Sequence, residues 1–84
     1  MKIGSILQAC RERNNLSQAE MSYRINRSQG YISRVEKGKL IPDFPTVVTW
    51  TQETKSPEVV VAYLYGIEGL RTAEQMINQT EARA

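Results

Sequence analysis

Apolar residues near the start of the chain recur at spacings of three and four, so Ile3, Ile6, Leu7 and Cys10 share one stripe of a predicted first helix. That helix is expected to end near Asn14 and Asn15, because asparagine tolerates the left-handed backbone that closes helices. Ser17-Gln18-Ala19-Glu20 follows as a capping box, in which the serine oxygen and the glutamate carboxylate each satisfy a free backbone amide at a second helix start. Leu16 and Met21 are spaced to form the flanking hydrophobic staple. The second helix buries Met21 and Ile25 and stops at Asn26. Ser28 then caps a third helix that turns Ile32 and Val35 inward and closes at Gly38.

Beyond Pro42, Asp43 is placed to cap a fourth helix with Pro45 in its first turn and with Val47, Val48 and Trp50 as apolar surface. Ser56-Pro57-Glu58 reads as a fifth start: a cap, a proline at the first helical position and an acid near the positive end of the dipole. Val59 to Tyr65 is expected to supply its buried face. Three successive valines also suit a strand, but the cap favours helix and no partner strand is visible. Gly66 and Gly69 interrupt the pattern, and Thr72 with Gln75 repeats the capping-box signature ahead of Met76 and Ile77. No internal repeat stands out.

A chain of 84 residues holds one compact core, too small for separate cofactor and substrate domains. A lone cysteine excludes an intramolecular disulfide, and the absence of histidine removes the commonest zinc sites and histidine base chemistry. No metal or cofactor is expected. The longest uncharged apolar run, Val59 to Ile67, falls well short of the roughly 18 residues of a membrane span. Leu7-Gln8-Ala9-Cys10 imitates a lipoprotein cleavage site, but the stretch before it is too short and too polar. The cytosol is the expected compartment, with Cys10 a reduced core residue.

The net charge of +2 is unevenly spread: residues 1–41 carry eight Lys/Arg against three Asp/Glu, and residues 42–84 carry three against six. A basic half suits a polyanionic partner, although a solvated surface can show the same imbalance. The more specific feature is the pair of short helices between Ser17 and Gly38, joined only by the residues around Asn26 and Arg27. So short a connection makes the helices cross steeply and leaves the second able to enter a DNA major groove. Met21, Ile25, Ile32 and Val35 face the junction. Gln29, Ser33 and Arg34 are left outward, with side chains suited to hydrogen-bonding base edges.

These residues resemble the Cro/repressor-type (XRE) helix-turn-helix family. The likeness rests on Ile3-Gly4, Arg11, Leu16 to Met21, Tyr31 to Lys39 and Pro42, and covers about residues 3–65. It implies an all-α, five-helix domain over residues 1–66, with residues 67–84 as a short helical extension or tail. It also implies that a helix at residues 28–37 reads the major groove. Gln18 takes the position that contacts phosphate and buttresses that helix. Gln29, Gly30, Ser33 and Arg34 take base-facing positions, with Ser28, Lys37 and Lys39 alongside the backbone. Arg11 and Glu36 take positions that form a partly buried ion pair between the first and third helices.

Asn26 and Arg27 depart from the family's glycine and aliphatic residue in the turn. Asn26 keeps access to the left-handed region. The Arg27 stem is expected to cover the turn while its guanidinium reaches solvent or phosphate. Gly30 removes a base-reading side chain, which leaves either closer backbone approach or reduced specificity. The resemblance and the residues together predict a sequence-specific regulator of double-stranded DNA, of small phage, prophage or plasmid repressor type and not an enzyme. A homodimer on a palindromic operator is expected, through Tyr63, Leu64, Ile67, Leu70, Met76 and Ile77. The alternative is a protein-interaction module, an antitoxin or antirepressor, that holds a protein partner with its acidic, aromatic C-terminal half.

Overall fold

The computed structural model describes residues 3–65. They form five helices and, among the described residues, no strand: α1 Ile3–Arg13, α2 Gln18–Ile25, α3 Gln29–Glu36, α4 Phe44–Glu53 and α5 Pro57–Leu64. The fold is all-α, and the three valines of α5 are helical. Thr72, Gln75, Met76 and Ile77, with the rest of the proposed extension, lie outside the described residues.

Four of the helices stop by the same local device. Asn15, Asn26, Gly38 and Lys55 each adopt positive φ, at 57°, 58°, 77° and 52°. The residue after each donates its amide back across the last turn: Leu16 to the Arg11 carbonyl, Arg27 to Ser22, Lys39 to Arg34 and Ser56 to Thr51, at 2.8–3.3 Å. This is the Schellman arrangement, which satisfies carbonyls that a helix end leaves unpaired. In the first two cases a serine cap comes next. Ser17 Oγ accepts from the Glu20 amide and Ser28 Oγ from the Tyr31 amide, both at 3.0 Å. Asn15-Leu16-Ser17 and Asn26-Arg27-Ser28 are therefore one connector used twice.

At α2 the capping box is complete, with the Ser17 amide donating to Glu20 Oε1 at 2.9 Å. Those bonds hold the Glu20 carboxyl below its ordinary pKa. Asp43 caps α4 through the Thr46 amide at 2.9 Å, and the Thr46 side chain, followed by that amide, holds its carboxyl below the ordinary pKa. Ser56 departs from expectation. Its φ of −129° and ψ of 54° give no side-chain cap, and Pro57 alone opens α5. The Ser56 hydroxyl is instead buried, donating to the Thr54 carbonyl at 3.0 Å and accepting from Arg13.

The core lies where α1 to α4 meet, around the fully buried Leu7, Met21, Ile32, Val35, Val47 and Trp50. Trp50 donates its indole N–H to the Leu7 carbonyl at 3.0 Å, so it is a packing residue and offers no surface for bases or a partner. The threonines that dilute the apolar pattern of α4 are absorbed in the same way. Thr46, Thr51 and Thr54 are buried, and the hydroxyls of Thr51 and Thr54 bond carbonyls of their own helix. Asn14 Nδ2 then joins the ends of α1 and α4, reaching the carbonyls of Cys10 and Thr54 at 2.8 Å.

The face Val59 to Tyr65 is not buried as expected. Val59, Val60 and Tyr63 pack partly against the core, while Val61, Leu64 and Tyr65 are exposed. With α1 to α4 already closed around Trp50, α5 covers a flank instead of completing the interior.

Gly4 sets how closely α1 approaches the end of α3. A Cβ there would overlap the Val35 carbonyl oxygen and stand 3.2 Å from that of Glu36. Both neighbours are backbone and neither can swing aside. Gly4→Ala should therefore destabilise the domain by about 1–3 kcal/mol, although alanine is the better helix former. Denaturant melts check this, and a gain in stability would contradict the close α1–α3 contact.

Candidate nucleic-acid interface

A buried ion pair holds the third helix from behind. Arg11 Nε donates to Glu36 Oε2 at 2.6 Å and Nη2 to Oε1 at 3.0 Å, a two-point contact between α1 and α3. The remaining arm, Nη1, donates to the Leu16 carbonyl at 2.7 Å in the α1–α2 connector. Gln18 Nε2 donates to Glu36 Oε1 at 3.0 Å from the first residue of α2. Side chains of α1 and α2 thus converge on one carboxylate of α3. The hydrogen bonds to Glu36 raise the Arg11 pKa above its ordinary value, against the cost of burial, which lowers it. Gln18 keeps its second amide hydrogen, so the same side chain that braces Glu36 can donate outward.

In front of this brace lies the outer face of α3. Gln29, Gly30 and Arg34 are exposed and Ser33 is half-buried; Lys37 and Lys39 continue the exposed face through the turn at Gly38. Arg34 lies back along the helix. A Cβ on Gly30 would come within 3.3 Å of Arg34 Nη1, so the glycine leaves room for that guanidinium. Ser28 is exposed, with its oxygen engaged as the α3 cap.

The charges sort by position. Among the described residues of the basic half, Arg11 pairs with Glu36, Arg13 with Glu58, Arg24 with Glu53 and Arg27 with Asp43, at 2.6, 3.4, 3.7 and 3.7 Å. Arg34, Lys37 and Lys39 make no ion pair among the described residues, and all three lie on α3 or in the turn that follows. The unpaired cations described in the basic half are therefore gathered at one edge.

The family model described as a helix-turn-helix domain matches residues 2–64. The chain belongs to this family. The match is consistent with the Cro/repressor-type resemblance, spans both α2 and α3 with their short connector, and implies DNA binding. Comparison with curated proteins and with solved structures gave no match. No helix among the described residues is long and apolar enough to cross a membrane, and no group of His, Cys, Asp or Glu among them is placed to hold a metal ion.

Of the residues proposed for a dimer contact, Tyr63 is half-buried and Leu64 exposed on α5; Ile67, Leu70, Met76 and Ile77 lie outside the described residues. Residues that the sequence reading passed over are Thr46, as a side-chain acceptor, and Tyr31, as an aromatic platform. The Arg27 guanidinium donates to Thr46 Oγ1 at 3.1 Å and sits 5.0 Å from the centre of the Tyr31 ring. Nothing in local spacing marks the first of these contacts, because 19 residues separate the two partners.

Two outcomes are expected for the helix-turn-helix domain itself. Glu36→Ala should cost about 3–5 kcal/mol in denaturant melts without DNA, since it leaves a buried guanidinium without its partner. Unchanged melting with lost DNA binding would place Glu36 in the contact set instead. Gly30→Ala should stabilise α3 by about 0.5–1 kcal/mol, because only the mobile end of Arg34 must shift. A loss of stability would show that Arg34 cannot yield.

Proposed function

We propose that this helix-turn-helix protein is a sequence-specific, double-stranded DNA-binding transcriptional regulator, a small repressor of phage, prophage or plasmid type. The observation that carries the reading is the sorting of charge: the other described cations of the basic half each face a carboxylate, whereas Arg34, Lys37 and Lys39 edge the helix that exposes Gln29. In this reading α3 enters the major groove. Arg34 and Gln29 read bases, because guanidinium and carboxamide groups make two-point contacts to guanine and adenine edges. Ser33 and the Gly30 backbone lie against the same groove. Gln18, Ser28, Lys37 and Lys39 hold phosphate, which sets register without reading sequence.

One recognition helix covers few base pairs, so the protein acts as a homodimer on a palindromic operator with half-sites about 34 Å apart. The apolar side chains of Val61 and Leu64 on α5 and of Tyr65 at its end are exposed and support an assembly surface there.

Binding to a selected duplex and to random duplexes, titrated across salt concentrations, tests the proposal. Arg34→Ala and Gln29→Ala should each weaken binding to the selected site by about 1–3 kcal/mol and affect random DNA less. Gln18→Ala should weaken both more evenly. Equal wild-type affinity for both pools would overturn the regulator reading. Equal loss from all three variants would overturn the assignment of α3 to the bases.

A further inference from the structure

We infer that Arg27 is a positioning residue for the recognition helix, engaged on the protein and not on phosphate; this rests on the DNA-reading role proposed for α3. Arg27 occupies the connector position held by Leu16 in the preceding turn. Leu16 is buried there and staples its helix start to the core. An arginine cannot do the same with an apolar body, and the structure shows what replaces it. The guanidinium lies over the Tyr31 ring, on the first turn of α3, at 5.0 Å from its centre. It also donates to Thr46 Oγ1 at 3.1 Å and faces Asp43 Oδ2 at 3.7 Å.

The two α4 partners are not loose surface groups. Asp43 uses its other oxygen to cap α4 through the amide of the same Thr46. One planar cation therefore ties the α2–α3 turn, the start of α3 and the capped start of α4 into one unit. Arginine suits this place because one arm, Nη2, donates to Thr46 and faces Asp43 while the guanidinium lies over an aromatic ring; a lysine ammonium offers a single point charge. At its far end α3 is held by Arg11 and Gln18 through Glu36, so the Arg27 contact fixes the end that Glu36 leaves free.

The experiment compares wild type, Arg27→Ala and Arg27→Lys, first as free proteins by amide NMR and then in the salt titration with selected and random duplexes. Both variants should move the amide resonances of Gln29 to Arg34. Both should lower affinity for the selected duplex by roughly tenfold, leave random-duplex affinity nearly unchanged and keep the wild-type salt slope. Arg27→Lys should fail to rescue. A salt slope reduced by about 0.9, with parallel loss for both pools and rescue by lysine, would overturn the inference and make Arg27 a phosphate contact. An unchanged ratio of selected to random binding in both variants would also overturn it. Wild-type protein without preference for the selected duplex would instead overturn the proposed function, and the positioning role would then be decided by the free-protein spectra, with unmoved Gln29 to Arg34 amides counting against it.

Discussion

The carboxylate of Glu36 is the point on which the arrangement of the first three helices depends. It is a poor choice if stability alone were at stake, since desolvating two charges cancels much of their attraction and an apolar pair of similar volume is often as stable. What the pair supplies is direction. A leucine in that place would accept many packings of α1 against α3, whereas a two-point guanidinium contact at 2.6 and 3.0 Å accepts one. The Leu16 carbonyl and the Gln18 amide close the remaining valences, so no buried side-chain polar atom among the described residues lacks a partner. Gly4 completes the constraint from the α1 side, by letting that helix lie directly on the carbonyls at the end of α3.

Local chemistry made most of the element boundaries legible. Asn14-Asn15, Ser17 to Glu20, Asn26, Ser28, Gly38 and Asp43 each carry a conformational preference that acts within four residues, and the helices begin and end beside them. The failures have a common cause. Lys55 adopts the left-handed conformation with no side-chain preference for it, because burial of Ser56 and the bonds across the α4 terminus impose it. Ser56 itself sits where a cap is expected but is drawn inward by Thr54 and Arg13. The apolar run of α5 was misread for a related reason: periodicity shows that a face is apolar, not that anything remains for it to cover once α4 has placed Trp50.

The site was legible to a different degree. Which side chains of α3 point outward follows from helical spacing, since Ile32 and Val35 are committed to the core. Which cations are available does not follow, because Arg13, Arg24 and Arg27 find partners 45, 29 and 16 residues away along the chain, beyond the reach of any local pattern. A charge count over the basic half therefore overstates the cationic surface. Among the described residues, pairing leaves the edge formed by Arg34, Lys37 and Lys39, and this makes the asymmetry more informative, because a concentrated patch produces a field that a scattered one does not.

A helix of eight residues is too short to hold its own orientation, and most of the stability of such a helix comes from what it packs against. In this domain α3 is held along its whole length. Ile32 and Val35 anchor its middle in the core, Glu36 fixes its last turn to α1 and α2, and Tyr31 meets the cation of the preceding connector at its first. In the proposed role, a helix fixed in this way would enter a groove without first being ordered, so less binding free energy would be lost to conformational restriction. In the proposed role the same rigidity would sharpen discrimination, because the backbone that carries the outward side chains cannot shift to suit a wrong base edge. Polar contacts at both ends with apolar packing between them give the helix one orientation, which a core of this size would not impose by volume alone.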